Sequence, residues 1–312
     1  MTESVAVFPG PQPRIRRVAI DQPWTWLAAG WNDLWTAPVI SLSYGAIPVV
    51  MGWLAVTLLL WFDSPWLVLP LSAGFFFVGP FIAVGLYEAS RRLEAGLPVD
   101  GDATLNAWRR NADQIALMGL LLLLLHLAWM RIAQLLFAFF PWHGIPSWYH
   151  FTDLLWHATR SLPFLAAGVA IGAILAAIAF IIGAFSIPYL LDRRCSNLFE
   201  AIAISVAAVR LNPKPMLLWA GLIVMLVTMA MVPGFLGLIL VLPVVAHSTW
   251  HAYRDIVSFE ALPEPAHSAK ALGEVLRRCA KAMSIRSNTC ERKLSSVGHG
   301  DVSCRSIRTR PE

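Results

Sequence analysis

Charge is what this 312-residue chain has little of: Asp, Glu, Lys and Arg together make up 14% of it, against roughly 25% in an ordinary soluble domain. A globular protein of this length could not cover its surface with so few, which excludes the usual water-soluble classes. Cysteine is scarce too. The four present, Cys195, Cys279, Cys290 and Cys304, contain no Cys-x-x-Cys pair, so neither a zinc knuckle nor a dithiol redox motif is supported. There is no glycine loop leading to a phosphate-binding lysine, no nucleophile elbow and no His-Glu-x-x-His. No catalytic residue and no resident metal or cofactor is therefore expected.

What is there is apolar: 57% of the residues. A hydrocarbon layer about 30 Å thick takes about 20 mostly apolar residues in helical form. Six such windows occur, at 39–62, 66–88, 115–140, 162–188, 215–232 and 234–253. They are continuous runs rather than alternating ones, which selects helices over barrel strands. The expected fold class is all-α, a polytopic membrane protein with six transmembrane helices. Pro233 and Gly234 leave room only for a tight turn between the last two.

The net charge of +5 invites a nucleic-acid partner until it is placed along the chain. From 261 to 312 there are ten basic and five acidic residues, so this tail carries the whole excess and the rest is neutral overall. No nucleic acid is expected. The arginines nearest the span ends, Arg91, Arg92, Arg109, Arg110, Arg193, Arg194 and Arg254 among them, fall on one side of a six-span arrangement, with Arg160 almost alone opposite. Positive residues stay cytoplasmic, so both termini are expected inside a bacterial-type inner membrane. The organisation expected is a polar N-terminal segment, 1–22, a six-span membrane domain, 23–258, and a basic disordered tail, 259–312. A polar, Trp-rich stretch ahead of the first span, with no small-residue cleavage site after it, argues against a removable signal.

The chain also resembles itself. Residues 79–93, GPFIAVGLYEASRRL, align without gaps on residues 242–256, LPVVAHSTWHAYRDI, matching Pro80 with Pro243 and Arg91 with Arg254. Tyr189 and Arg193 occupy the same place at the end of the fourth span. Stretches at 24–35, 103–111 and 197–211 precede the odd spans and have amphipathic spacing. In the first, Trp24, Leu27, Trp31 and Leu34 fall on one side with Asn32 and Asp33 off it, as in a helix lying in the interface plane. The expected unit is an interfacial helix followed by a helical hairpin, three times over.

Ionisable groups near or within spans are the candidate functional positions. His247, His251 and Asp255 recur every four residues and share a helical face. Two imidazoles so spaced can ligate one metal ion, and a polar helix end bonded to its neighbours explains them equally. Glu88 and Asp192 lie at comparable depths, so Glu88, Asp192, His247, His251 and Asp255 would form a polar cluster at an inner mouth if the even spans converge. That cluster serves proton or solute transfer, or neutralises Arg91, Arg193 and Arg254. His126 sits about 20 Å into the third span. His143, His150 and His157 recur outside, broken by Gly144 and Pro146. Gly168, Gly172 and Ala176 make a small-residue packing face on the fourth span.

The stretches DQPWTWLAAGWNDLWTAP (21–38), GPFIAVGLYEASRRLEAG (79–96), NPKPMLLWAGLIV (212–224) and LPVVAHSTWHAYRDIV (242–257) together resemble the domain of unknown function 2189 family of bacterial predicted integral membrane proteins. The resemblance covers about 15–258 and implies a multi-span inner membrane protein of a bacterium, without an activity to transfer. Three functions compete. They are permeation or transport of a small solute, a non-catalytic membrane component that binds a membrane protein partner or its own copies, and a metal- or haem-binding protein using His247 and His251. The lipid bilayer is the partner common to all three.

Overall fold

Proline sets the first helix boundaries. In the computed structural model, which describes residues 13–63, 68, 71, 79, 80, 82–139, 158–193 and 196–259, α1 runs Gln22–Thr36 with Pro23 in its first turn. It stops because Pro38 follows. Ala37, just before that proline, takes φ −129° and ψ 60°, off the helical region as a pre-proline residue prefers. Pro38 then opens α2, Pro38–Trp61, where its missing N–H costs nothing. The result is an elbow between two consecutive helices.

Further along the chain lie α3 (Val84–Glu94), the short α4 (Gly101–Leu105), a 3₁₀ turn (Ala107–Asn111), α5 (Ala112–Phe139), α6 (Ala158–Gly183) and α7 (Ser186–Asp192). Then come α8 (Leu198–Leu211), α9 (Pro213–Met231) and α10 (Leu238–Ile256). Two three-residue strands, β1 (Pro13–Ile15) and β2 (Val257–Phe259), pair into a small ribbon. Pro13–Ser258 make one compact unit. The protein is mostly helical.

Among the described residues, four segments are long and apolar enough to cross a membrane: Pro38–Trp61, Ala107–Leu136, Ala166–Asp192 and Pro213–Met231. The 24 residues of α2 rise about 36 Å, enough for the hydrocarbon layer with some tilt. Most of the expected second span, 66–88, lies outside the described residues. The expected sixth, α10, is not among the four: its second half, from His247 to Ile256, is polar and aromatic, and it is packed inside the protein.

α10 is the centre of the unit. α1, α2, α3, α7 and α9 all pack against it. Its first half meets α2 and α9, with Val49, Val227, Ala230 and Leu238 forming a core cluster. Gly234 and Phe235 adopt φ +64° and +68° in the turn from α9, and Gly237 N donates to Ala230 O at 3.1 Å, closing the hairpin. Its second half buries Trp250, Tyr253 and Ile256 completely against α1, α3 and α7. By contrast Trp53, Leu58, Leu120, Leu124, Val169 and Met229 stand exposed on the apolar helices, as lipid-facing residues do.

The ribbon and Asn212 pin residues 13–18. Asn212, 2% exposed, accepts from Val18 N and donates to Arg16 O, both at 2.9 Å, while Arg16 N donates to Ile256 O. Residues 13–18 are thus held by hydrogen bonds to the α8–α9 junction and the end of α10.

Candidate functional site

The elbow at Ala37 puts Asp33 at the end of α1 and Ser41 in the first turn of α2, on either side of the break. α1 comes close to α10 at Gly30, where a Cβ would collide with Ser248 and the Val244 carbonyl. That approach carries Asp33 to the His247 level. Ser90 arrives from α3, whose residues Val84 to Ser90 are all buried.

A continuous hydrogen-bonded chain results. Ser41 Oγ lies 3.0 Å from His247 Nε2, and His247 Nδ1 lies 2.7 Å from Ser90 Oγ. Ser90 Oγ donates to Asp33 Oδ2 at 2.6 Å, and His251 Nε2 lies 2.9 Å from the same carboxylate oxygen. Ser41, Ser90 and His247 are fully buried and Asp33 is 7% exposed; the His251 side chain keeps 29% of its surface.

Donor counting fixes the directions. An ionised carboxylate only accepts, so the Ser90 hydroxyl spends its one proton on Asp33. Ser90 Oγ must then accept from His247, which makes Nδ1 the protonated nitrogen. Nε2 is left bare and accepts from the Ser41 hydroxyl. Both nitrogens of His247 are engaged, so neither faces a metal ion. Among the described residues, no group of three or more His, Cys, Asp or Glu is placed to hold one.

The expected cluster of Glu88, Asp192, His247, His251 and Asp255 does not form one site; it divides. His247, His251 and Asp255 do share a face, turned toward α1 and α2: Asp255 Oδ2 accepts from Trp26 Nε1 at 3.0 Å. Glu88 belongs to a separate ion-pair group. Arg91 binds it at 2.6 and 2.7 Å, Arg92 at 3.3 Å and Arg110 at 3.9 Å. That hydrogen-bonded carboxylate raises the Arg91 guanidinium above its ordinary value. Asp192 belongs to a third group. Arg254 pairs with Glu94 at 2.9 Å and with Asp192 at 3.8 Å. Trp250 Nε1 donates to Glu94 at 3.1 Å, and the Tyr253 hydroxyl donates to Asp192 at 2.9 Å. The side chain of Tyr189 on α7 meets Tyr253 edge-on at 6.5 Å and donates to Glu200 on α8. The ends of α3, α7 and α10 therefore touch one another.

Asp33 also shows which face of α1 is buried: it lies off the side of Trp24 and Trp31, as its spacing places it. The face buried is Trp26, Gly30, Asp33 and Leu34, while Trp24 and Trp31 are 56% and 47% exposed. Hydrophobicity alone pointed to the tryptophans. Closeness to α10 and a partnered carboxylate outweigh it, because Gly30 admits the contact and Asp33 is satisfied inside. Sequence spacing could not have flagged Ser41 or Ser90, two ordinary serines.

The other candidate positions are scattered. Gly172 sits against the Trp129 ring, whereas a Cβ at Gly168 would meet nothing within 4 Å; Ala176 is half-buried on the same helix. His126 is 7% exposed within α5. His143, His150, His157 and the four cysteines lie outside the described residues.

No curated protein and no solved structure matches the chain. Residues 67–192, which hold Glu88, Ser90 and Asp192, match the model of the family described as "Predicted integral membrane protein (DUF2189)", the family that the four motifs resemble.

Proposed function

We propose that this integral membrane protein lets a small solute permeate a bacterial inner membrane, and that this conformation is closed at its cytoplasmic end. The observation that carries the reading is the meeting of α3, α7 and α10, locked by Arg254 between Glu94 and Asp192. In a three-repeat, six-span arrangement those are the ends of the even spans, and α1, α4 with its 3₁₀ turn, and α8 are the interfacial helices before the odd ones. Both termini are then cytoplasmic. Arg254 is 39% exposed at the side chain, so its bonds can open without disturbing the core. Purified protein in liposomes loaded with small fluorescent solutes tests this: Arg254→Gln should leak several-fold faster than the native chain. Equal leak in both rejects the gate.

A second reading, a non-catalytic component that binds a membrane partner, is favoured by one observation. Only 11% of the most apolar 18-residue window within Ala166–Asp192 is buried, so α6 offers most of its surface to lipid or to another helix. A stoichiometric partner retained through mild detergent purification, with no leak from the Arg254→Gln protein, would select it. The metal or haem reading loses support because His247 has no nitrogen to give.

A further inference from the structure

Two groups of cations stand out among the described residues. Arg91, Arg92 and Arg110 surround Glu88, and Arg254 holds Glu94 and Asp192. Arg16, Arg17, Arg210 and Lys214 have no such acid: all four are exposed, and none makes an ion pair among the described residues. The fold nevertheless gathers them. The Asn212 side chain donates to Arg16 O and accepts from Val18 N, both at 2.9 Å, on either side of Arg17. Arg210 and Lys214 stand two residues before and two after that same asparagine. α8, which ends in Arg210 and Leu211, also packs against β1, from which the chain runs on to Arg16. Four like charges are therefore anchored around one clamp in spite of their repulsion.

We propose that this cluster binds the phosphate of an anionic phospholipid whose acyl chains lie along α9. The inference stands apart from the permeation reading and requires only that α9 lie in the membrane. α9 is long and apolar enough to cross, and Lys214 is its second residue, so the cluster stands where headgroups meet hydrocarbon. Steps of three and four residues from Lys214 reach Leu217, Gly221 and Val224 on one face of the helix. That face is bare. Leu217 is 77% and Val224 49% exposed, and a Cβ at Gly221 would meet nothing within 4 Å. A soluble phosphate would use the cations alone, whereas a phospholipid uses the cations and the apolar track beneath them.

The chemistry of the head suits the lipid. Guanidinium groups bind phosphate oxygens through paired N–H donors, and an ammonium adds a point charge. Basic residues next to a span are drawn to an anionic leaflet for the same reason. Nearby acids do not neutralise the cluster. Asp255 accepts from Trp26, and Asp21, four residues beyond Arg17, makes no ion pair among the described residues.

Bound lipid is counted by native mass spectrometry on full-length protein in neutral detergent, offered equal amounts of phosphatidylglycerol and phosphatidylcholine. The native chain should retain the anionic lipid at least about tenfold better. Arg17→Gln combined with Lys214→Gln should cut that retention at least about tenfold, through the loss of two of the four cations, with the thermal midpoint in lipid-free detergent unchanged. Arg210→Gln alone should weaken retention several-fold and carries the test if the double variant does not fold. Arg109→Gln, at an exposed cation over the Trp108 ring outside the cluster, should retain the lipid as the native chain does. Equal retention of the two lipids by the native chain, native retention in the folded cluster variants, or an equal loss in Arg109→Gln overturns the site. Displacement of phosphatidylglycerol by an equal concentration of free glycerol phosphate overturns it too, since the ligand would then be a soluble phosphate.

Discussion

At the scale of single residues, the protein handles its buried charge by giving each acid a specific cation or hydroxyl. Glu88, whose side chain is 4% exposed, faces three guanidiniums at 20–24% exposure. An acid placed so deep is tolerable only because it is paired, and removing it strands its partners rather than freeing them. Glu88→Gln should lower stability by about 2 kcal/mol, the worth of a charged hydrogen-bond pair, visible as a reduced thermal midpoint in detergent. Tertiary contact decided which residues matter here. His247 was legible because an imidazole in an apolar run stands out, and Glu88 for the same reason. Ser41 and Ser90 were not, since a hydroxyl in a helix is ordinary until its neighbour is known. That Asp33 is buried was not legible because its partners are remote in sequence: Ser90 is 57 positions away and His251 is 218.

At the scale of elements, close approach between helices is set by glycine. Gly45 on α2 lies where a Cβ would strike the backbone carbonyl of Ile239, and this contact holds α2 against α10 with Ser41 in reach of His247. Gly45→Val should push the two helices apart and cost about 2 kcal/mol, a usual penalty for overpacking. A thermal melt of the variant checks the cost, and loss of the Nδ1–H signature of His247 checks the displacement. One helix boundary followed from sequence because its chemistry is local: Pro233 and Gly234 predict the α9–α10 turn. The division of the fourth window was not legible. α6 ends at Gly183 and α7 begins at Ser186, and hydropathy is continuous across the join. Likewise the apolar count made α10 a span throughout, although its second half is covered by three other helices rather than by lipid.

At the scale of the whole molecule, orientation is the open test. The proposed orientation, with both ends inside, predicts that Cys195, Cys279, Cys290 and Cys304 are reached only from the cytoplasmic side. A membrane-impermeant maleimide added to intact cells should leave the chain unmodified, and the same reagent on inverted vesicles should modify it. Labelling from outside would reverse the arginine-based assignment and move the Arg254 lock to the opposite face.

The sequence by itself determined that the chain is a helical membrane protein, because crossing hydrocarbon is a requirement on each run of about 20 residues separately and a run either meets it or does not. It also marked the turn between α9 and α10, where Pro233 and Gly234 act on their immediate neighbours. Only the tertiary structure decided which polar groups share a site. Ser41 and His247 are 206 residues apart, and a hydrogen bond depends on positions within a few tenths of an ångström. Those positions are set by Gly30, Gly45 and the elbow at Ala37 acting together.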